Sequence, residues 1–384
     1  MGSGWRGILG FDYGILPGPR PSSREAHERV AGPPTSLAPS SPPPSPTPLP
    51  SASSASPTSY PHHTFLFFSS VLYYVSSVNY CISADHWLAT LLTALQPAPD
   101  YVRELIRKTR SLTSRPFGAA IVLPFPYEEN LRVVLEEKLA VLQVYWGEFP
   151  REWVQEAHRA GVKVLHQVGS LEEATKAKEA GVDGIIVQGR EGGGHVIGQE
   201  GLIPLLPRVV DLISDSGIPV IAAGGIVDGR GYVAALGFGA QGVCLGTRFL
   251  ATEESYAHPI YKEKVIEMSR TDYTNVFGRA RWSYAPQRVL ETPFYSGCKN
   301  LPDQETEENQ PIIGHSIIHG VHKDIHRFAG IAPNPTATGD IGSMVMYAGQ
   351  SVGLITEIIP AGEVVRRLVA EAKDVIRERL SDFH

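Results

Sequence analysis

The sequence predicts an α/β protein built as a (β/α)8 barrel, with its first two strands disrupted or replaced by low-complexity sequence. Three observations carry this. From Phe117 onward, short apolar runs alternate with amphipathic helical stretches, the pattern of a parallel sheet with helical crossovers. Two successive late runs each end in a glycine turn, Ala222-Ala-Gly-Gly-Ile226 and Leu245-Gly-Thr-Arg248. Such paired turns offer bare amides to an anion, and in barrels of this kind the phosphate site follows strands seven and eight. Between Arg29 and Asp85 there is no Asp, Glu, Lys or Arg, and the alternation is lost there.

The predicted strands are Phe117–Leu123, Leu139–Tyr145, Val162–Val168, Val182–Val187, Ile218–Ala223 and Gly242–Leu245. Helical stretches such as Pro150–Ala160 and Ser170–Ala180 lie between them; the second has Glu172-Glu173 in its first turn and stops at Gly181. If the last two strands are seven and eight, Phe117–Leu123 is strand three. Ile8–Ile15 then supplies part of strand one, and no good second strand is visible. Gly32 to Pro61 is mostly Pro, Ser, Ala and Thr, a composition that reads as disordered. The following apolar run, Phe65 to Ile82, approaches membrane-span length. It carries serines, tyrosines and Asn79 without flanking cations, which favours a hydrophobic plug or an ill-folded insert over a transmembrane helix. The expected organisation is residues 1–16 as the start of the barrel, 17–96 as an insert, and 97–384 as the barrel domain.

The net charge of −6 and pI near 6.1 argue against a nucleic-acid partner or a membrane surface. Cys81, Cys244 and Cys298 are too scattered for a disulfide framework or a metal site. With no visible signal peptide they point to a reducing, cytoplasmic setting.

The densest chemical signal is Gln188-Gly-Arg-Glu-Gly-Gly-Gly-His195, at the end of an apolar strand. Bare backbone there lets a flat or charged ligand approach closely, and one imidazole closes the run. Glu191 suits a backbone-capping role in that turn better than a base. His166 ends another strand and faces either the barrel mouth or its wall. His315, His319, His322 and His326 recur at helical spacing, which reads as a solvated lid helix without acidic partners for a metal. Pro360 to Leu380 reads as an amphipathic helix packed on the barrel.

The ordered set Val187-Gln188-Gly189, Glu191-Gly-Gly-Gly-His195, Pro219-Val-Ile-Ala-Ala-Gly-Gly-Ile226 and Gly242-Val-Cys-Leu-Gly-Thr-Arg-Phe-Leu-Ala251 strongly resembles the nitronate monooxygenase (2-nitropropane dioxygenase-like) family. The likeness covers about residues 99 to 384, including Tyr347-Ala-Gly-Gln350, and residues 1 to 16 look like the start of such a protein. The resemblance implies a TIM barrel and FMN as cofactor. It implies Gln188 and Gly193 against the flavin ring, and Gly224, Gly225, Cys244, Leu245, Gly246 and Thr247 at its phosphate. It also implies His195 as the catalytic group acting on a nitro compound or nitronate with oxygen, with His166 facing substrate or flavin. The chain departs from the family pattern in two places: Ile15-Leu-Pro-Gly-Pro19 lacks the usual Gln, and Ala120 stands where many members have Asn. Residues 20 to 96 match nothing in the family, so residues 17 to 96 read as foreign sequence. The competing readings are an FMN-dependent NAD(P)H reductase of quinones or enoyl thioesters, and a non-catalytic relic of the barrel.

Overall fold

Short apolar runs separated by helices bury both their faces when they lie side by side in a parallel sheet beneath those helices. The computed structural model, which describes residues 65–68, 91–94, 97–302 and 304–381, contains such a sheet. Its elements begin with β1 (Phe65–Phe68), β2 (Leu91–Ala94), α1 (Pro99–Leu112), β3 (Gly118–Val122), α2 (Glu128–Glu136), β4 (Val141–Tyr145) and α3 (Arg151–Ala160). They continue with β5 (Lys163–Val168), α4 (Leu171–Ala180), β6 (Gly184–Gln188), β7 (Gly194–His195), α5 (Leu202–Ile213), β8 (Val220–Ala223), α6 (Gly229–Gly237), β9 (Gly242–Leu245) and α7 (Thr247–Leu250). There follow α8 (Pro259–Glu267), β10 (Thr271–Thr274), β11 (Gln287–Leu290), α9 (Pro293–Cys298), β12 (Ile312–Ile318), β13 (Val321–His326), β14 (Thr338–Gly339) and α10 (Ala361–Val375).

Eight strands form one sheet in the order β1-β9-β8-β6-β5-β4-β3-β2, with every neighbouring pair parallel. This is the strand order of a TIM-barrel-like α/β fold read round the ring, with β1 and β2 at its ends. The six strands expected from the sequence are all present as β3, β4, β5, β6, β8 and β9, with ends moved by at most two residues. Ile8–Ile15 lies outside the described residues. The two remaining sheet positions belong to β1 and β2, both within residues 17–96. Each is only four residues long, and an apolar run that short carries no period that marks it as a strand.

Alternation along the strands sorts side chains into two layers. Val144 of β4, Val164 and Val168 of β5, Val187 of β6 and Leu245 of β9 face outward and join the helices in the main core. Val141, Leu165, Ile186, Ile221, Ala223 and Cys244 fill the inside of the sheet. Gln143, Gln167 and Gln188 share that inner parity and are buried. The C-terminal helix α10 buries Ala361, Val364, Val365, Leu368 and Ala372 against the outer layer, as its amphipathic pattern anticipates. Among the described residues no helix is long and apolar enough to cross a membrane.

The histidine-rich stretch is a correction to the sequence reading. It is not a helix but the antiparallel hairpin β12–β13. His319 and Gly320 have φ of 51° and 75°, the two positive values of a tight hairpin turn. The β-branched residues Ile312, Ile313, Ile317, Ile318, Val321 and Ile325 favour the strands. His315 meets Asp324 across the hairpin at 2.8 Å. Among the described residues no group of three or more His, Cys, Asp or Glu is placed to hold a metal.

Helix α4 shows how local signals set the boundaries. The Ser170 hydroxyl accepts from the Glu173 amide at 3.1 Å, and the Glu173 carboxylate accepts from the Gly169 amide at 2.6 Å. This is a reciprocal cap. Gly181 ends the helix at φ 86°. Ser170→Ala should therefore cost about 1 kcal/mol. A urea titration reads this as a lower midpoint with unchanged slope; an unchanged midpoint would remove the cap from the account.

Candidate active site

The glycine loop leaves β6 at Gln188 and returns as β7. Its backbone is pinned at both ends: the Gly189 amide donates to Ala223 O at 3.0 Å and the Gln350 amide to Glu191 O at 2.9 Å. Both carboxylate oxygens of Glu191 accept from the Leu202 amide, at 3.0 and 2.9 Å, and so cap α5. Glu191 is thus a structural cap, as the turn predicts. A Cβ on Gly193 would lie 2.5 Å from the Gly349 amide nitrogen, so only glycine lets the two segments meet there.

At the C-terminal ends of β6, β8 and β9 this loop borders a cleft. Gln188, Gly193, Gly224, Gly225, Cys244, Gly246 and Thr247 all line it. Gly224 and Gly225 have φ of 96° and 75°, conformations that turn their backbone in a way a side chain disfavours. Leu245 is placed differently: its side chain has outward parity and packs in the helix layer, and it does not line the cleft. Further lining residues to which the sequence assigns no role include Gln167, Tyr347 and Gly349. The Gly349 amide donates to Thr247 Oγ1 at 2.9 Å. The inner glutamines form a short chain, Gln143 Nε2 donating to Gln167 Oε1 at 3.1 Å. Gln188 Oε1 is buried without a hydrogen-bond partner among the described residues. An unmet buried acceptor costs about 1–3 kcal/mol, which a ligand N–H in the cleft would recover.

His195 lies beside this cleft. Strand β7 pairs with β11, which sets His195 opposite Gln287 and buries the imidazole. Its ring stacks on Trp282, with centroids 4.8 Å apart and planes 21° apart. Tyr347 lies 5.7 Å away and Trp146 6.2 Å away. Loss of hydration holds its pKa down at about 3. Tyr347 lines the glycine cleft and also flanks His195, so it forms a shared wall. Trp146 ends β4 with φ 66°, a conformation costly for an aromatic residue and typical of functional sites.

His166 is not brought to this site. It has the outward parity of Val164 and Val168, and its Nε2 lies 2.9 Å from Gly147 O. It borders a separate outer cleft with Glu148, Arg151 and Glu173, and burial holds its pKa down at about 4. Its neighbour Gln167 is the residue that reaches the cleft. Strand alternation is the sequence signal that marks it, since Leu165 and Gln167 share the inner parity. Ala120 is buried on the inner face of β3, and Ile15–Pro19 lies outside the described residues.

A barrel whose late strands end in glycine turns, with a buried imidazole alongside, defines a class of ligand-binding barrel proteins. Within it, the family model for nitronate monooxygenase matches residues 121–371. The chain is 33% identical over 233 residues to a nitronate monooxygenase of Neurospora crassa, covering 59% of this chain and 58% of that protein. It is 38% identical over 298 residues to the (3aS,4S,5R,7aS)-5-hydroxy-7a-methyl-1-oxo-octahydro-1H-indene-4-carboxyl-CoA dehydrogenase of Mycobacterium tuberculosis, covering 71% and 82%. Among solved structures, FabK from Thermotoga maritima superposes with a TM-score of 0.67 at 30% identity, covering 84% of this chain and 96% of that one. The match thus spans little more than half the length of the Neurospora relative. The chain belongs to the nitronate monooxygenase family, a family of oxidoreductases.

The two buried histidines imply acid sensitivity. Both are harder to protonate folded than unfolded, so the unfolded chain binds more protons in acid. Their contribution is complete above the ordinary histidine value of 6.5 and is lost as pH falls toward about 4 for His166 and about 3 for His195. Between about pH 7 and pH 4.5, each should remove roughly 2–3 kcal/mol of stability. Urea midpoints should fall over that interval, and less steeply for His166→Phe. A wild-type midpoint that stays level would contradict the burial of these rings.

Proposed function

We propose that the glycine-lined cleft holds FMN and that the protein oxidises alkyl nitronates with oxygen. The observation that carries this reading is a single cleft combining bare amides at Gly224, Gly225, Gly246 and Thr247 with the unmet buried acceptor of Gln188. The amides suit a phosphate, and the acceptor suits an N–H on a flat ring. Gly193 removes the side chain that would keep a ring from the loop. FMN would supply the electron acceptor and the reaction with oxygen. The part of this chain is to place and exclude. Tyr347 and Trp282 keep water from His195, and the buried imidazole stays neutral at physiological pH. A neutral imidazole donates one N–H to an anionic nitronate oxygen, and its other nitrogen can accept a carbon-bound proton. A base held near pKa 3 takes such protons slowly, which favours preformed nitronates over neutral nitroalkanes.

Supporting measurements are direct. The purified protein, supplied with FMN, should show a bound-flavin absorbance band. His195→Asn should keep that band and slow nitroalkane turnover by about a hundredfold or more, with a smaller loss on the preformed nitronate. Equal turnover by wild type and variant near neutral pH would remove His195 from the chemistry. No flavin band would favour a relic that keeps the fold alone.

The 38% identity to a carboxyl-CoA dehydrogenase favours one alternative, reduction by NAD(P)H with a quinone or enoyl thioester as acceptor. Anaerobic stopped-flow mixing separates the two, since rapid bleaching by NAD(P)H and none by a nitronate would select the alternative. We also propose that residues 17–96 are foreign to the family barrel, because Asp, Glu, Lys and Arg are absent between Arg29 and Asp85; β1 and β2 would then stand in for the family's own strands. Sequencing the transcript across the codons for Leu16 and Ala98 tests this, and a continuous spliced message encoding all of residues 17–96 would overturn it.

A further inference from the structure

Trp282 occupies a place that its own segment does not build. It lies on the connection between β10 and β11, outside the eight-stranded sheet. Its indole is nonetheless only 7% exposed. It sits among three rings that follow the C-terminal ends of strands: Phe125 beyond β3 at 5.0 Å, Trp146 at the end of β4 at 4.6 Å, and His195 of β7 at 4.8 Å. In barrels of this type that end is where substrates bind. The residues around Trp282 face solvent: Arg281 is exposed and Tyr284 is 66% exposed. The segment begins at Gly278, with φ 71°. A cleft of about 180 Å³, lined by His195, Arg281, Trp282, Asp324 and His326 among others, adjoins the box.

We propose that Trp282 is a displaceable plug standing in the substrate's seat, and that the substrate carries a flat aromatic ring beside its nitro-bearing carbon. The seat is a box of π faces and edges, one wall of which is the His195 imidazole. A ligand that enters it forfeits the burial of Trp282 and must replace those ring contacts. A planar ring supplies comparable area and stacking. A short alkyl chain supplies neither. The substrate class rests on the nitronate reading; the displacement of the indole does not.

Calorimetric titration of the full chain, with FMN added, tests this with nitrobenzene and 2-methyl-2-nitropropane. Neither has a hydrogen on its nitro-bearing carbon, so neither can form a nitronate, and binding is read without turnover. Wild type should bind nitrobenzene about tenfold more tightly than the aliphatic compound. Removing the plug should then tighten nitrobenzene binding, by about tenfold in Trp282→Ala and by less in Trp282→Phe. A fixed wall behaves the opposite way, since its loss weakens binding. Weaker nitrobenzene binding in either variant, or equal wild-type affinity for the two compounds, would overturn the proposal. Trp282→Phe keeps the loop filled and decides the sign if Trp282→Ala does not fold. Oxygen uptake with phenylnitromethane nitronate is a separate measurement. Its absence would sink the oxidation reading and leave the displacement result standing.

Discussion

Backbone packed directly on backbone holds the mouth of this barrel together. At Gly193 the loop after β6 meets the segment around Ala348 and Gly349 so closely that a methyl group would strike main-chain atoms at 2.5–2.9 Å. The same loop is tied to β8 by the Gly189 amide and to the C-terminal segment by Glu191 O. Its carboxylate, Glu191, starts α5. A region without side chains cannot be stabilised by apolar burial, so hydrogen bonds and close approach must hold it. The result is a surface of exposed amides on a rigid support, which is what an anionic ligand requires.

The same closeness explains the chemistry of His195. β7 is only two residues long, yet its pairing with β11 carries the imidazole from the glycine loop into an aromatic box. Burial lowers its proton affinity, so the candidate base is a weak one in this conformation. Burial also gives Trp282 a direct influence on His195, since displacing the indole changes what the imidazole faces. Tyr347 links the two halves of the site, because one ring lines the glycine cleft and flanks the histidine.

Much of this was legible because parallel strands buried on both faces are continuous apolar runs, and their glycine endings break the pattern sharply. β3, β4, β5, β6, β8 and β9 and the glycine turns at Gly224 and Gly225 follow from that, while the places of Gln188, Gly193 and Thr247 at the cleft follow from the family resemblance. β1 and β2 did not show, since four residues are too few to reveal a period. The histidine hairpin misled because spacings of four, three and four satisfy a helical stripe. The decisive signal was the His319-Gly320 turn between β-branched runs. At β5 the sequence leaves open which parity faces the mouth; the structure puts Gln167 at the cleft and His166 on the outer face. The resemblance implies Leu245 at the phosphate, but its side chain serves the core.

The central claim is that bare amides on β8 and β9 bind a phosphate while Gln188 meets a ring. Parallel fluorescence titrations with FMN and riboflavin test it most directly, because the two ligands share the ring and differ in the phosphate. The account predicts that FMN binds at least about a hundredfold more tightly, as expected for several charge-assisted backbone hydrogen bonds. Equal affinity for the two flavins, or binding of neither, would contradict it.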